Sequence, residues 1–394
     1  MSSLLAHLLH FEALGVSRSR AALFFSTFFL SSLATYMAIV FVPLYALGLT
    51  ESLPLISLLT TAYYVAFTAC LPIYGRLSDR LGGHAWFTAL GAALTGALCI
   101  AIPLTSRLEE LMALRAAQGL AWALVAPMGA AMASMSTTKA FRGRAMSVFN
   151  LSVSSGYLAG SLVGGAVSEL LGLDAVFLLG GISSIIAAGL ALGLRGWGRP
   201  RREVERREVK LRARLGKAKV VYVGFFLRNA GATGIWALLP IYLAYLGASE
   251  LWIGLLYTVN LASQTLLMGQ VGQLTDRLGR KPVFLLGLFG SSAVFVLYGL
   301  SPHYLWIIPV HVLLGLSWCS LITASTAYIG DRAPVEAQGA MMSLLFTVTG
   351  LAWIAGSSLA AAVVDLVGLR NYMFIAASLA ALGGLYSSYF MERG

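Results

Sequence analysis

Two stretches of this 394-residue sequence follow one pattern: GRLSDRLGGH at Gly75–His84 and GQLTDRLGRK at Gly272–Lys281. The second stretch begins 197 positions after the first. Three further pairs of segments keep this register within one position: VPLY ending at Tyr45 with LPIY ending at Tyr242, RAAQGLAWA from Arg115 with HVLLGLSWC from His311, and GRAMS from Gly143 with GAMMS from Gly339. Matches in one register over about 100 residues predict two related halves.

Apolar stretches of about twenty residues recur along the chain, which is 58% hydrophobic and only 11% charged. Soluble domains carry about a quarter charged residues, so an ordinary soluble domain is excluded. About twenty helical residues cross the hydrocarbon core, and backbone in lipid must bond within the segment. The stretches lack the alternation of barrel strands. We predict an all-α membrane protein with twelve transmembrane helices near residues 20–48, 54–78, 85–105, 108–135, 142–168, 174–194, 218–246, 251–275, 282–300, 303–328, 336–365 and 371–391.

The basic residues fall mainly in alternate loops, which leaves only Arg107 and Arg370 on the opposite side. This bias predicts a multi-pass cell-membrane protein with both termini in the cytoplasm. It also explains the net charge of +11 without a nucleic-acid partner. The predicted organisation is an N-terminal cytoplasmic segment at 1–19, a six-helix bundle at 20–194, a basic cytoplasmic linker at 195–217 and a second six-helix bundle at 218–394. The first segment is interpreted as an amphipathic surface helix, and the polar part of the linker as a surface helix.

The two quoted loops resemble the signature of the major facilitator superfamily, G-x-L-x-D-R-x-G-R-K, which lies between the second and third helices of that family. The second copy is almost complete, whereas the first departs from the signature at Gly83 and His84. The resemblance implies two six-helix bundles of parallel topology that rock about a central site in alternating access. It implies a gating role for Gly75, Asp79, Arg80, Gly272, Asp276, Arg277 and Arg280.

Physical reasons accompany this gating assignment. The glycines Gly75 and Gly272 would let a helix approach its neighbour closely. Asp79 and Asp276 would interact with the positive N-terminal end of an adjacent helix. Arg80 and Arg277 would then form pairs across the same loop. The alternative is that these arginines only mark the cytoplasmic side.

Two weaker resemblances concern the fourth and fifth predicted helices. The pattern R-x-x-Q-G is present at Arg115, Gln118 and Gly119. The glycines of the G-x-x-x-G-P-x-x-G-G pattern of the antiporter branch are present at 156, 160, 164 and 165, but Ser161 replaces the proline. Close helix packing through small residues is the alternative for these glycines.

Three ionisable side chains lie well inside predicted helices: Arg115, Arg228 and His311. All sixteen carboxylates lie in loops or near helix ends. Charges inside a membrane are costly and are functional candidates by default. Two buried arginines without an acid would favour anionic or strongly hydrogen-bonding solutes. His311 is the proton-coupling candidate, because imidazole titrates near neutral pH. For Arg115, Arg228 and His311 the alternative to a functional role is a structural one, in which the side chain only makes hydrogen bonds within the protein.

Polar residues recur at helical spacing around these charges, which would place them on one face. The predicted solute-binding set is Arg115, Asn150, Tyr157, Arg228, Asn229, Trp236, Asn260, Gln264 and His311. Hydrogen bonding between helices is the alternative reading of the polar members.

The sequence therefore predicts a monomeric secondary transporter of a small organic solute, in the lipid bilayer, with protons as a candidate coupling ion. It shows no phosphate-binding loop, nucleophile motif or metal-binding cluster, so no enzyme activity, cofactor or metal is expected. The alternative function is proton-driven efflux of drugs or amphiphiles. A minor alternative is a membrane sensor that does not transport.

Overall fold

The computed structural model describes residues 17–81, 83–136, 142–196, 218–332 and 338–392. Every regular element within these ranges is helical, which confirms the predicted all-α fold. The α-helices are α1 Arg18–Ala46, α2 Leu53–Leu81, α3 His84–Ala101, α4 Leu108–Ala123, α5 Ala126–Met135, α6 Arg142–Leu171, α7 Leu173–Leu192, α8 Lys219–Tyr245, α9 Glu250–Leu278, α10 Arg280–Leu300, α11 Ile307–Arg332, α12 Gln338–Val367 and α13 Leu369–Phe390. Short 3-10 helices at Ile102–Leu104 and Tyr304–Trp306 precede α4 and α11.

The fourth predicted helix differs from the expectation, because 108–135 is not one continuous helix. It is divided into α4 and α5 at Leu124 and Val125. Both backbone amides at this break bond three residues back, at 3.1 and 3.0 Å, in the tighter 3-10 pattern. Pro127 lies in the first turn of α5, where its missing N–H is best tolerated. Prediction from hydropathy alone is insensitive to this interruption.

Ten helical segments of the described ranges are long and apolar enough to cross a membrane. Neither α6 nor α8 is among these ten. In α8 the adjacent Arg228 and Asn229 lower the mean hydropathy, and in α6 serines and glycines do so. Both helices carry internal polar residues, as expected for helices that present polar groups to a protein interior.

The chain divides into two compact units. The first comprises residues 1–45 and 65–205, and the second comprises 46–64 and 206–394. The beginning of α2 thus groups with the second unit, where Ser57 Oγ donates a hydrogen bond to the Ser357 carbonyl at 2.8 Å. The predicted domain division at the linker stays a prediction. The surface helices predicted at 1–19 and in the linker lie almost wholly outside the described residues.

Glycines bring helices into close contact within the first unit. A Cβ atom at Gly160 of α6 would lie 2.6 Å from the Leu33 carbonyl oxygen of α1. Gly164, one turn further along α6, packs against the Phe41 ring. These contacts support the packing interpretation of the α6 glycines, since small residues let membrane helices approach closely.

The second unit is held together by a core of side chains from α8 to α13. Gly287 of α10 contacts the backbone of Leu321 of α11, where an added Cβ would lie 2.6 Å from the amide nitrogen. The Tyr242 hydroxyl of α8 donates to the Tyr298 carbonyl of α10 at 2.6 Å. These contacts fix α8, α10 and α11 relative to one another, and the three helices carry the polar side chains described next.

Candidate functional site: a buried polar cluster in the second unit

Arg228 lies in the middle of α8 and is only 3% exposed. Its Nε donates to Ser291 Oγ at 2.9 Å, and one terminal nitrogen donates to Asn229 Oδ1 at 3.3 Å. The guanidinium carbon lies 5.1 Å from the centre of the Trp318 ring and 5.6 Å from that of Phe295. Two hydrogen bonds and two aromatic faces therefore hold the guanidinium group in place.

No carboxylate contacts Arg228 within the part of the chain that the structure describes. The acids of the second unit lie at helix ends, as at Glu250, Asp276, Asp331 and Asp365. A buried cation without an ion-pair partner keeps most of its positive potential, because low-dielectric surroundings screen it weakly. The electrostatic potential around Arg228 is therefore positive.

His311 lies in α11 and is completely buried. Its Nδ1 lies 2.6 Å from the Leu256 carbonyl, and a carbonyl can only accept, so Nδ1 carries the proton. Three aromatic rings surround the imidazole, with ring centres 5.7 Å away for Tyr298, 6.3 Å for Tyr257 and 6.5 Å for Trp236. His311 Nε2 makes no hydrogen bond with any described residue. In the neutral ring this nitrogen is an acceptor that can take up a proton.

Two amide side chains of α9 connect to the same region. Asn260 is fully buried, and its Nδ2 donates to the His311 carbonyl at 3.1 Å. The half-buried Gln264 donates from Nε2 to Asn260 Oδ1 at 2.7 Å. The amide chain links α9 to α11 and ends at a partly exposed glutamine.

Tyr298 of α10 lies between the arginine and the histidine. It is 1% exposed, interacts electrostatically with Arg228, and its hydroxyl has no hydrogen-bond partner among the described residues. We call the whole group the second-unit cluster. Its members are Arg228, Asn229, Trp236, Tyr257, Asn260, Gln264, Ser291, Tyr298 and His311.

Ser291 and Tyr298 were not predicted from the sequence, whereas Arg228, Asn229, Trp236, Asn260, Gln264 and His311 were. A usable signal was present, because Ser291, Phe295 and Tyr298 are spaced four and three residues apart and share one face of α10. Serine and tyrosine are common in apolar helices, so only the contact with Arg228 distinguishes these two.

The remaining predicted solute contacts lie in the first unit. Arg115 of α4 is 4% exposed, and its Nη1 donates to Gln118 Oε1 at 2.6 Å, so the pattern R-x-x-Q-G contains a direct hydrogen bond. Tyr157 is half-buried and stacks on Tyr36 at 4.7 Å. Asn150 is exposed. Solute contact by these residues stays a prediction.

The second signature loop forms a charged latch within its own unit. Arg280 Nε donates to Asp331 Oδ2 at 2.8 Å, and its Nη1 donates to Asp276 Oδ1 at 3.0 Å. The Arg280 Nη1 group also donates to the Thr275 carbonyl at 3.0 Å. These bonds join the end of α9, the start of α10 and the end of α11.

Two physical reasons given for the signature loops are wrong in this structure. Arg280 rather than Arg277 pairs across the second loop; Arg277 is exposed and forms no ion pair with a described residue. A Cβ atom at Gly75 or Gly272 would meet nothing within 4 Å, so neither glycine marks a close helix contact. Arg80 is exposed, and the Asp79 side chain lies outside the described set. The gating role itself stays a prediction.

The fold and the buried polar cluster define a helical, multi-pass membrane protein of the solute-transporter class. The chain belongs to the Major Facilitator Superfamily, whose sequence model matches residues 24–221 and again 221–393. The two matches meet near the linker and cover nearly all of the chain, one per predicted half. A family of transporters is not a family of enzymes, so the expected lack of enzyme activity agrees with this membership.

The relatives named for multidrug resistance match only part of the chain. The multidrug resistance protein MdtG of Proteus mirabilis is 27% identical over 179 residues, which is 44% of each chain. A multidrug resistance efflux pump PmrA homologue of Lactococcus lactis is 25% identical over 178 residues, again 44% of each. The chain thus spans less than half the length of these relatives. An MFS-type transporter of Methanocaldococcus jannaschii is 21% identical over 86% of this chain and 89% of its own.

Solved structures show the same fold at low identity. The nucleoside transporter NupG superposes with a TM-score of 0.80 at 11% identity, over 95% of this chain and 100% of that chain. A bacterial homologue of the lysosomal transporter Spinster superposes with a TM-score of 0.76 at 14% identity, over 95% and 97% of the two chains. At these identities the similarity establishes the fold alone. It does not identify the solute of this chain.

Proposed function

We propose that this chain is a secondary transporter that moves a small anionic or strongly hydrogen-bonding organic solute by alternating access, with the second-unit cluster as a solute site. The observation that carries the proposal is Arg228, a buried guanidinium group with no carboxylate partner among the described residues. In the proposed setting, the protein is a monomer in the cell membrane with both termini in the cytoplasm.

The donor groups of the cluster support an anionic or polar solute. A guanidinium group offers five N–H donors in a planar fork that matches carboxylate and phosphate groups. Only two Arg228 nitrogens make hydrogen bonds to described residues, so the second terminal nitrogen has donors left for a ligand. Trp236 is half-buried beside His311 and offers an aromatic face for the apolar part of a solute.

Proton coupling through His311 is part of the proposal. Nδ1–H is bonded to a backbone carbonyl and Nε2 has no hydrogen bond to a described residue, so a second proton would enter at Nε2. The nearby Tyr298 hydroxyl and the Arg228 charge would then respond to the added charge. Protonation would therefore alter the potential at the solute site.

A thermal-shift screen of detergent-purified protein tests the solute class. Sets of anionic, neutral and cationic metabolites are compared on the wild type, Arg228→Met and Arg228→Lys. Anionic ligands should stabilise the wild type, with a weaker effect in Arg228→Lys and none in Arg228→Met. Stabilisation by cationic ligands alone, unchanged in both variants, would overturn the proposed solute class.

Proton-driven efflux of drugs or amphiphiles is the second candidate, because the relatives in Proteus mirabilis and Lactococcus lactis are named for multidrug resistance. Flux in proteoliposomes separates the two candidates. Drug efflux should depend on an imposed pH gradient, whereas exchange of an organic anion should continue after the gradient is collapsed. Ligand binding without any flux would instead favour a sensor.

A further inference from the structure

An apolar groove of about 790 Å³ runs along the first unit between α3 and the end of α7. Its large lining side chains are Leu81, Trp86, Phe87, Leu90, Ile185 and Leu192. Trp86, Leu90 and Ile185 are 55%, 53% and 46% exposed, so the groove is open on one side. In a membrane-spanning chain, apolar side chains open to the outside of a bundle lie against lipid. The groove is therefore a slot on the lipid-facing surface.

Small residues create the depth of this groove. Gly83, Ala93 and Gly189 are part of its lining, and a Cβ atom at Gly189 would meet nothing within 4 Å. Gly83 is the position where the first signature loop departs from the family pattern. Its counterpart in the second half is Arg280, which is tied to Asp331 and Asp276. The first copy thus has no side chain at the position where the second copy has an ion-paired arginine.

A cation lies at the end of the groove. The Arg195 guanidinium carbon is 4.0 Å from the centre of the Trp86 ring, and Arg195 is exposed. Arg80, which is also exposed, precedes the lining residue Leu81. Tryptophan and arginine side by side are typical of the level of the lipid headgroups, where the indole is half apolar and the guanidinium group binds phosphate.

We propose that the groove binds one anionic phospholipid, with an acyl chain along α3 and α7 and the phosphate at Arg195. The apolar lining fits the chain and the exposed cation fits an anionic headgroup. Neither feature favours a zwitterionic lipid, whose own cation would lie near the arginine. This site is separate from the second-unit cluster and does not depend on the proposed solute.

Native mass spectrometry of delipidated protein tests this proposal. The protein is titrated with phosphatidylglycerol or phosphatidylcholine of identical chains. Wild type should retain the anionic lipid about fivefold better, which is the effect of one basic residue at an anionic headgroup. Arg195→Gln should bring this preference close to one. Gly189→Leu, which fills the groove, should reduce retention of both lipids. Gly269→Leu is the matched control, because its Cβ also meets nothing within 4 Å, and it should behave as wild type.

A second measurement needs no variant. Hydrogen exchange on the wild type should show that phosphatidylglycerol protects the start of α3 and the end of α7 more than phosphatidylcholine does. Equal retention of the two lipids, unchanged retention in Gly189→Leu, or protection elsewhere in the chain would each overturn the proposal. Preferential retention of a cationic amphiphile in the groove would also overturn it.

Discussion

Replacing Arg228 with methionine should weaken solute binding without destabilising the fold. Methionine is unbranched, flexible and uncharged, so it can pack against Phe295 and Trp318 in place of the arginine stem. Removing one partner of a buried ion pair usually leaves an uncompensated charge and costs about 3–5 kcal/mol. Arg228 has no carboxylate partner among the described residues, so this penalty does not arise.

The structure gives a magnitude for both effects. An arginine at the centre of a membrane helix costs about 2.5–3.5 kcal/mol on insertion scales, and the two hydrogen bonds offset part of this cost. After the substitution Ser291 Oγ still donates to the Gly287 carbonyl at 2.7 Å, so its hydroxyl donor stays satisfied. Asn229 Oδ1 loses its donor, at a cost of about 1–3 kcal/mol, which the removed cost of the buried charge offsets. We therefore expect the stability to rise or to change by less than about 1 kcal/mol. A lost charge-assisted hydrogen bond costs about 1.5–3 kcal/mol, so anion affinity should fall about 10- to 150-fold.

The assay combines an unfolding curve with ligand titration on the same detergent-purified sample. Arg228→Lys serves as the control because it keeps the charge but loses the planar fork, and it should retain intermediate affinity. A large loss of stability in Arg228→Met with unchanged anion affinity would refute the reasoning. Arg228 would then be a structural cation rather than a solute contact.

Three further predictions follow from other contacts. Gly160→Leu should destabilise the protein by about 1–3 kcal/mol in thermal unfolding, because its Cβ would lie 2.6 Å from the Leu33 carbonyl oxygen. Asp331→Asn should change stability by less than about 1 kcal/mol, because the pair with Arg280 is partly exposed, yet it should slow solute flux in proteoliposomes if this latch gates the transporter. His311→Gln should abolish the response of flux to an imposed pH gradient, because glutamine cannot take up a proton.

Each of these predictions has a matched control and a contradicting result. Gly75→Leu should be tolerated, because its Cβ meets nothing within 4 Å, and equal losses at Gly75 and Gly160 would contradict the packing argument. For the latch, Asp365→Asn changes an acid near the end of a different helix, α12, that forms no ion pair with a described residue, and equal slowing by both variants would contradict a specific gate. A pH response that survives in His311→Gln would exclude His311 as the proton carrier.

The architecture was predictable from sequence because hydrophobic length and internal repetition are strong signals. Bounds of most helices agree with the predicted spans within a few residues, because a helix needs about twenty residues to cross the hydrocarbon core. The break between α4 and α5 was not predictable from hydropathy, because Leu124 and Val125 are themselves apolar. Only Pro127 marked the place, and a proline is also tolerated inside continuous membrane helices.

The candidate site was predictable only in part. Charged and amide side chains are rare within apolar spans and costly there, so Arg228, Asn260 and His311 could be predicted as site residues. Their partners depend on tertiary contacts that spacing alone cannot supply, as with Ser291, which is 63 positions from Arg228. The signature loop shows the same limit, because the pattern predicted a paired arginine but not that Arg280 would be the one.

Solute counterflow in proteoliposomes tests the central claim most directly. Vesicles containing the purified chain are loaded with the anionic solute identified by thermal shift, and uptake of its labelled form is followed without ATP. The account predicts transient accumulation in the wild type that persists when the pH gradient is collapsed and is lost in Arg228→Met. Accumulation of a cationic drug that requires the pH gradient and is unaffected by Arg228→Met would contradict it.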